Sequence, residues 1–284
     1  EPGSKYQYSN SGYIILGLII EKLSGKSYYD YVEERIFRPL GMKSSGYPEK
    51  GAEPPEFARG FSEALDGSLR PAPVIHPSWG YSAGAFYSTV GDMLAWDRGL
   101  AAGKLLSPGS IEKMFRPVMG DYGCGWLIRE TFGRRDQFHG GGLPGFSAWI
   151  ERWPDDDAFV AVLANIVTAP TGEIGRSLAA ILFGKSYEMP AARKPVEANP
   201  NTLDEYLGTY RIDAETVRDV VRDGNALFVS RNGGRRIPIV PFEKDGFFFP
   251  SDKGAFLRFT RDEGGKVNGQ IFHQLGEDER AVKK

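Results

Sequence analysis

Cysteine is nearly absent: Cys124 is the one thiol among 284 residues. That count excludes an internal disulfide framework and any cysteine-rich zinc module. Histidine is scarce as well. His76, His139 and His273 are the three, and none stands in a His-Glu-x-x-His spacing, so no metal and no cofactor is expected. Neither sign of charge is in excess, with 35 basic and 37 acidic residues and a net charge of −2. A nucleic-acid or anionic-membrane partner would call for a basic surplus, so neither is expected. Long hydrophobic runs are missing too. The longest, residues 12–20 and 158–166, are too short to span a bilayer. The first residues, Glu1-Pro2-Gly3-Ser4-Lys5-Tyr6, show no initiator Met and no signal-type apolar segment. They read as the middle of a longer protein, cut in a loop.

What is present is enough to build a core, because aromatics make up 13% of the chain. Residues 12–20 are apolar all round, which predicts a helix buried between layers, capped by Asn10 or Ser11 and ended by Gly25. Ser27 and Asp30 have capping-box spacing for a second helix over 28–37, stopped by Pro39 and Gly41. Residues 42–88 read as a long loop region edging a site. Thr89 and Asp92 predict a helix at 91–101, followed by another at 108–116. The period then changes. Residues 122–129, 135–141, 145–152 and 158–165 read as antiparallel strands, and 172–183 as a closing helix.

The proline-bearing stretch 185–201 reads as a linker between residues 1–184 and 202–284. In the last unit, short β-type runs recur at 206–212, 217–221, 226–230, 236–240, 246–249, 255–260 and 268–273. Turn signals such as Asp223-Gly224-Asn225 and Gly233-Gly234 separate them. They predict a small β-barrel or sandwich. The fold class expected is therefore α+β: an antiparallel sheet flanked by helices, then a small all-β barrel.

Three serine-centred signals compete for the chemistry. Gly80-Tyr81-Ser82-Ala83-Gly84 matches the Gly-x-Ser-x-Gly elbow of α/β-hydrolases, with His139-Gly140-Gly141-Gly142 as a possible oxyanion loop. The order is wrong for that fold, whose oxyanion loop precedes the nucleophile, and no strand leads into Ser82. A glycine turn before a capped helix is the better reading. Ser110-Ile111-Glu112-Lys113 is the one Ser-x-x-Lys, a spacing that sets an amine beside a hydroxyl on a helix. It lies on a short amphipathic helix, where a solvated face is the better reading. The third signal pairs Tyr8-Ser9-Asn10 with His139-Gly140-Gly141. Taken singly, Tyr8 reads as a helix-entrance aromatic, Asn10 as an N-cap and His139 as a half-exposed strand residue.

Order decides for the third. Tyr8-Ser9-Asn10 leads into an apolar helix. Pro39-Leu40-Gly41-Met42, Ser82-Ala83-Gly84, Asp92-Met93, Tyr122-Gly123-Cys124-Gly125-Trp126 and His139-Gly140-Gly141-Gly142-Leu143-Pro144-Gly145-Phe146 follow in turn. This series, over residues 1–183, resembles the serine β-lactamase-like family of class C β-lactamases, D-Ala-D-Ala carboxypeptidases, D-aminopeptidases and esterases. Residues 202–284 resemble, less closely, a lipocalin-like barrel appended to several such hydrolases.

The resemblance implies acyl-enzyme hydrolysis of an amide or ester in a small-molecule or peptide substrate: a D-amino-acid peptide, a small ester or a β-lactam. It implies that the Tyr8 phenol relays a proton, and that the Asn10 amide binds the catalytic Lys and the substrate carbonyl. It implies that His139, Gly140 and Gly141 form the third family element, with Gly142 at the place of an oxyanion N–H. His139-x-Gly141 in place of Lys-Thr-Gly resembles the D-aminopeptidase and some carboxypeptidase branches, which points toward a D-amino-acid peptide or ester over penicillin. A periplasmic or secreted location is implied likewise.

The family's Ser-x-x-Lys lies well before Tyr-x-Asn, and the sequence begins seven residues before Tyr8. The expectation is therefore a chain inactive alone, with apolar faces of 12–20 and 158–165 uncovered. The expected partners are the N-terminal segment or another copy of the chain. The alternative is a non-catalytic binding or scaffold module. His76 and His273 are expected to be surface or structural residues, and Cys124 a buried, inert one.

Overall fold

In the computed structural model, which describes residues 3–48, 56–64, 68–187, 193–274 and 277–284, the first helices follow their capping residues. Helix α1 (Asn10–Ser24) starts where the Ser9 hydroxyl accepts the Gly12 N–H at 3.1 Å and ends at Gly25, φ +70°. The cap is thus Ser9, in extended conformation, and not Asn10 or Ser11; Asn10 becomes the first helical residue. Ser27 opens α2 (Tyr28–Val32) by accepting the Asp30 N–H. The helix continues through a π-wound turn (Glu33–Phe37) into α3 (Arg38–Leu40) and stops at Gly41, φ +70°. Pro39, expected to stop it, lies inside the last turn. The π turn before it shifts the carbonyl that a proline ring would strike in a regular helix.

The loop region carries a small hairpin, β1 (Phe61–Glu63) with β2 (Leu69–Pro71). Thr89 caps α4 (Val90–Ala101) and Ser107 caps α5 (Pro108–Met114). Four strands then form an antiparallel meander: β3 (Leu127–Thr131), β4 (Arg134–Leu143), β5 (Phe146–Trp153) and β6 (Ala158–Ala164). Helix α6 (Thr171–Leu182) packs on β5 and β6. Regular pairing in β3 begins at Leu127, not at residue 122. A tight turn through Gly123 and Gly125 (φ +80°) breaks the ladder, and Tyr122 keeps only isolated bridges to Met119 and Leu127.

The sheet's two faces bury different groups, because strand side chains alternate. Phe138, Trp149 and Trp153 lie on the α6 side, with Phe138 and Trp149 stacked at 4.8 Å. Ile128 and Ile150 pack on the opposite side with Trp126, Leu100 and Phe115. Asp97 of α4 and Arg152 of β5 pair there at 2.5 Å, both nearly fully buried.

Helix α1 is not buried between layers. Gly17 is its one buried residue, while Ile15, Leu16, Leu18, Ile19 and Leu23 are between 46% and 83% exposed. The reason is a contact made by a single narrow strip. Gly17 rests on Ser82 so closely that a Cβ would stand 2.2 Å from the Ser82 Oγ. The expected uncovered face is therefore real on α1. On β6 it shrinks to Leu163, 41% exposed, since Val160 is buried.

The remaining strands close a barrel: β7 (Gly208–Arg211), β8 (Val217–Asp223), β9 (Ala226–Arg231), β10 (Ile237–Glu243), β11 (Gly246–Phe249), β12 (Asp252–Arg261), β13 (Val267–Gln274) and β14 (Glu277–Lys283). Tyr210, Leu257, Leu227 and Phe247 fill its inside. Strand β14 has no counterpart among the expected runs. Its sequence, Glu277-Asp278-Glu279-Arg280-Ala281-Val282-Lys283, places only Ala281 in the core, so charge hides its alternation. The barrel touches the first unit at Gly254, where a Cβ would meet Glu173 and Pro170 at the start of α6.

Candidate active site

The site is assembled from the entry to α1, the turn before β3, and the middle of β4. Tyr8 precedes the Ser9 cap and is 55% exposed. Its ring centroid lies 6.2 Å from that of His139 and 6.2 Å from that of Tyr122. Tyr6 stands 5.4 Å from Tyr122 on the other side. Asn10 is exposed at the start of α1, beside Tyr8.

His139 shares its sheet face with Gln137 and Arg152, opposite the face that carries Phe138 and Trp149. Its Nδ1 lies 2.6 Å from the Gly140 carbonyl and its Nε2 lies 2.8 Å from the Tyr122 hydroxyl. Burial, and then the neighbouring Tyr13, Tyr8 and Tyr6, push the Tyr122 phenol up from its ordinary value, so it stays protonated.

The glycines of β4 differ in what they face. A Cβ on Gly140 would lie 3.2 Å from the Trp149 indole beneath it, whereas one on Gly141 would meet nothing within 4 Å. The ladder to β3 ends at Phe138. From His139 onward β4 is therefore an edge on that side, with the backbone of Gly141 and Gly142 exposed. An open glycine edge beside a histidine and a tyrosine lets a ligand carbonyl come close to main-chain N–H groups.

The other serine signals sit elsewhere. Ser82 lies in a 3-10 turn (Tyr81–Ala83) and donates to the Tyr13 carbonyl at 2.8 Å, tying that turn to α1. Ser110 is exposed on α5, where its hydroxyl accepts from Ser107 at 3.0 Å. His76 caps a 3-10 turn through Ser78, and His273 pairs with Asp278 at 2.8 Å. Cys124 is exposed, not buried, because it rides the turn between Gly123 and Gly125 rather than a strand. Sequence reasoning did not count Tyr122 or Tyr6 in the site. The signal for Tyr122 is its place at the head of Tyr-Gly-x-Gly-Trp. Among the described residues no group of three or more His, Cys, Asp or Glu side chains could hold a metal ion. Nor is any described helix long and apolar enough to cross a membrane.

Penicillin-binding protein 4* of Bacillus subtilis is 27% identical over 308 aligned residues, covering 100% of this chain and 67% of that protein. A D-aminopeptidase of Brucella anthropi is 31% identical over 170 residues, covering 58% of this chain and 32% of the relative. The solved structure of the octameric penicillin-binding protein homologue from Pyrococcus abyssi matches with a TM-score of 0.61 at 25% identity, over 100% of this chain and 66% of that one. The chain thus spans from about a third to about two thirds of the length of these relatives. The Beta-lactamase family profile matches residues 1–183, and the chain belongs to that family of serine hydrolases.

Proposed function

We propose that residues 1–183 carry one wall of an acyl-transfer site that hydrolyses an amide or small ester of a D-amino acid. In this reading Tyr8 moves a proton between nucleophile and leaving group, and the Asn10 amide orients the acyl carbonyl. His139 with Gly140, Gly141 and Gly142 forms the opposite edge, Gly142 standing at the oxyanion position. The serine and its lysine come from a polypeptide segment that packs on the exposed side of α1. The observation that carries the reading is the 6.2 Å approach of the Tyr8 and His139 rings, which sequence separation alone would not produce. The 46–83% exposure of five apolar α1 side chains supports a covering segment at the same place. The D-aminopeptidase similarity supports the substrate class.

The test is intact mass after incubation with a fluorescent penicillin and with a p-nitrophenyl ester. This chain alone is expected to give no adduct, and a label on Ser82 or Ser110 would refute the assignment. In a serine-bearing longer form, Tyr8→Phe is expected to cut turnover by about tenfold to a hundredfold, the low end for a proton-transfer group. Unchanged turnover would remove Tyr8 from the mechanism.

A further inference from the structure

Tyr122 occupies a place that the functional reading does not require, and its hydrogen bond has a direction. A carbonyl oxygen only accepts, so the 2.6 Å contact from His139 Nδ1 to the Gly140 carbonyl puts the proton of the neutral ring on Nδ1. His139 Nε2 is then a bare acceptor, and the hydroxyl 2.8 Å away must donate to it. With its proton committed inward, the Tyr122 oxygen has only lone pairs left for the cleft. The rings of Tyr6 and Tyr8 stand 5.4 Å and 6.2 Å from the Tyr122 ring, so those lone pairs lie within an aromatic wall. Aromatic faces and an acceptor together favour a cationic N–H donor.

The turn that follows Tyr122 is packed closely against Met114 and α1. A Cβ on Gly123 would come 2.5 Å from the Met114 carbonyl, and one on Gly125 would come 3.2 Å from the Tyr13 hydroxyl. Cys124 N–H bonds the same Met114 carbonyl at 2.8 Å. The backbone that carries Tyr122 is thus held from both sides, and the His139 contact at 2.8 Å places its phenol.

We propose that Tyr122 is a positioning residue that, by donating to Nε2, holds His139 in the Nδ1–H tautomer that the Gly140 carbonyl selects, and that its oxygen receives a protonated primary amine of the substrate. The second half rests on the reading of this cleft as the substrate edge; the first half does not. On that reading the histidine of His139-x-Gly141 is not a donor to substrate in its neutral form. Its polar contact with substrate runs through the tyrosine. The site would then separate free-amine substrates from N-acylated ones at Tyr122.

Two measurements on the 284-residue chain test the two halves. Nitrogen NMR of the 15N-histidine-labelled protein is recorded at about pH 8, above the ordinary histidine value of about 6.5. His139 is assigned by the loss of its signals in His139→Gln. The expected result is a protonated Nδ1 and a bare, hydrogen-bonded Nε2, with the Nε2 resonance moving toward the free-imidazole position in Tyr122→Phe. A protonated Nε2, or an Nε2 resonance the same in both proteins, would overturn the positioning role. Phenylalanine keeps the ring, and tryptophan emission verifies that the variant is folded.

The second measurement titrates D-phenylalaninamide and N-acetyl-D-phenylalaninamide against the same resonances. The amine is expected to bind about tenfold more tightly, the scale of one charge-assisted hydrogen bond. In Tyr122→Phe that preference should collapse. A preference that survives in Tyr122→Phe, or none in the parent, would overturn the amine assignment. If neither compound binds, the cleft reading itself is refuted, while the nitrogen spectrum still judges the tautomer.

Discussion

Replacing Glu151 by glutamine is expected to abolish a pH dependence of stability built into the sheet beneath the site. Glu151 of β5 and Asp136 of β4 have no exposed surface. The cation between them is Arg176 of α6, 3.4 Å from Glu151 Oε1 and 3.8 Å from Asp136 Oδ2. Two carboxyls facing one guanidinium cannot both ionise cheaply in a dry interior. Burial lifts the Glu151 carboxyl from its ordinary 4.5 to about 8; the pull of Arg176 opposes this, and hydrogen bonding with Asp136 adds to it. The folded state therefore holds a proton that the unfolded state has released between those two values. Stability from this proton is complete below about 4.5, falls as pH rises, and is lost once pH passes about 8. At about 1.4 kcal/mol per pH unit, the window corresponds to roughly 5 kcal/mol, a large share of the 5–15 kcal/mol that holds a typical domain.

All five tryptophans lie before residue 154, so their fluorescence in urea follows this part of the chain and not the barrel. The wild-type midpoint should fall steadily from pH 5 to 8.5. Glu151→Gln, neutral and of the same shape, should show a nearly flat midpoint across that window and be the more stable protein at pH 9. Equal slopes in the two proteins would refute the shared-proton argument. The effect reaches the site through Trp149, whose indole N–H donates to Glu151 Oε2 at 3.1 Å while its ring backs Gly140.

Three further outcomes are expected. Gly17→Ala should lower the unfolding free energy by about 1–3 kcal/mol, the usual cost of overpacking, and with it the urea midpoint, because its Cβ would fall 2.2 Å from Ser82 Oγ; an unchanged midpoint would mean that α1 does not sit on the 3-10 turn. Asp245 is held below the ordinary carboxylate range, first by its hydrogen bond with Arg261, so the barrel should lose stability as pH falls through that lowered value. Near-ultraviolet dichroism of the barrel tyrosines reads this, and Asp245→Asn should remove the acid dependence along with part of the stability at neutral pH. Leu16→Glu with Leu23→Glu should reduce light scattering of concentrated protein, because α1 presents its apolar side chains to solvent; undiminished scattering would place association elsewhere.

Much of the architecture was legible because caps and periodicity are local. Ser27, Thr89 and Gly25 mark helix ends by hydrogen bonds within three or four residues, and the meander from β4 to β6 alternates plainly. The misses are tertiary. An all-apolar helix reads as buried, yet what covers α1 depends on partners along the chain, and here its main contacts are with the Ser82 turn and α2. Strand β14 hid behind its charges, since a barrel wall needs one buried methyl per turn of the ladder rather than a full apolar stripe. The pairing of Tyr8 with His139 came from the order of motifs, not from spacing, and the two rings lie 6.2 Å apart. Tyr-Gly-x-Gly-Trp marks Tyr122 in the sequence, but its hydrogen bond to His139 Nε2 is a tertiary contact that the motif does not show.

The solitary thiol gives the molecule a single chemical address. Cys124 faces solvent on the turn whose neighbour Gly125 abuts Tyr13 of α1. One maleimide dye therefore attaches at one point, a few ångströms from the uncovered helix and from the cleft rim. Any polypeptide that settles over α1 must pass within quenching range of it, so the dye's lifetime would register docking before any turnover is detectable.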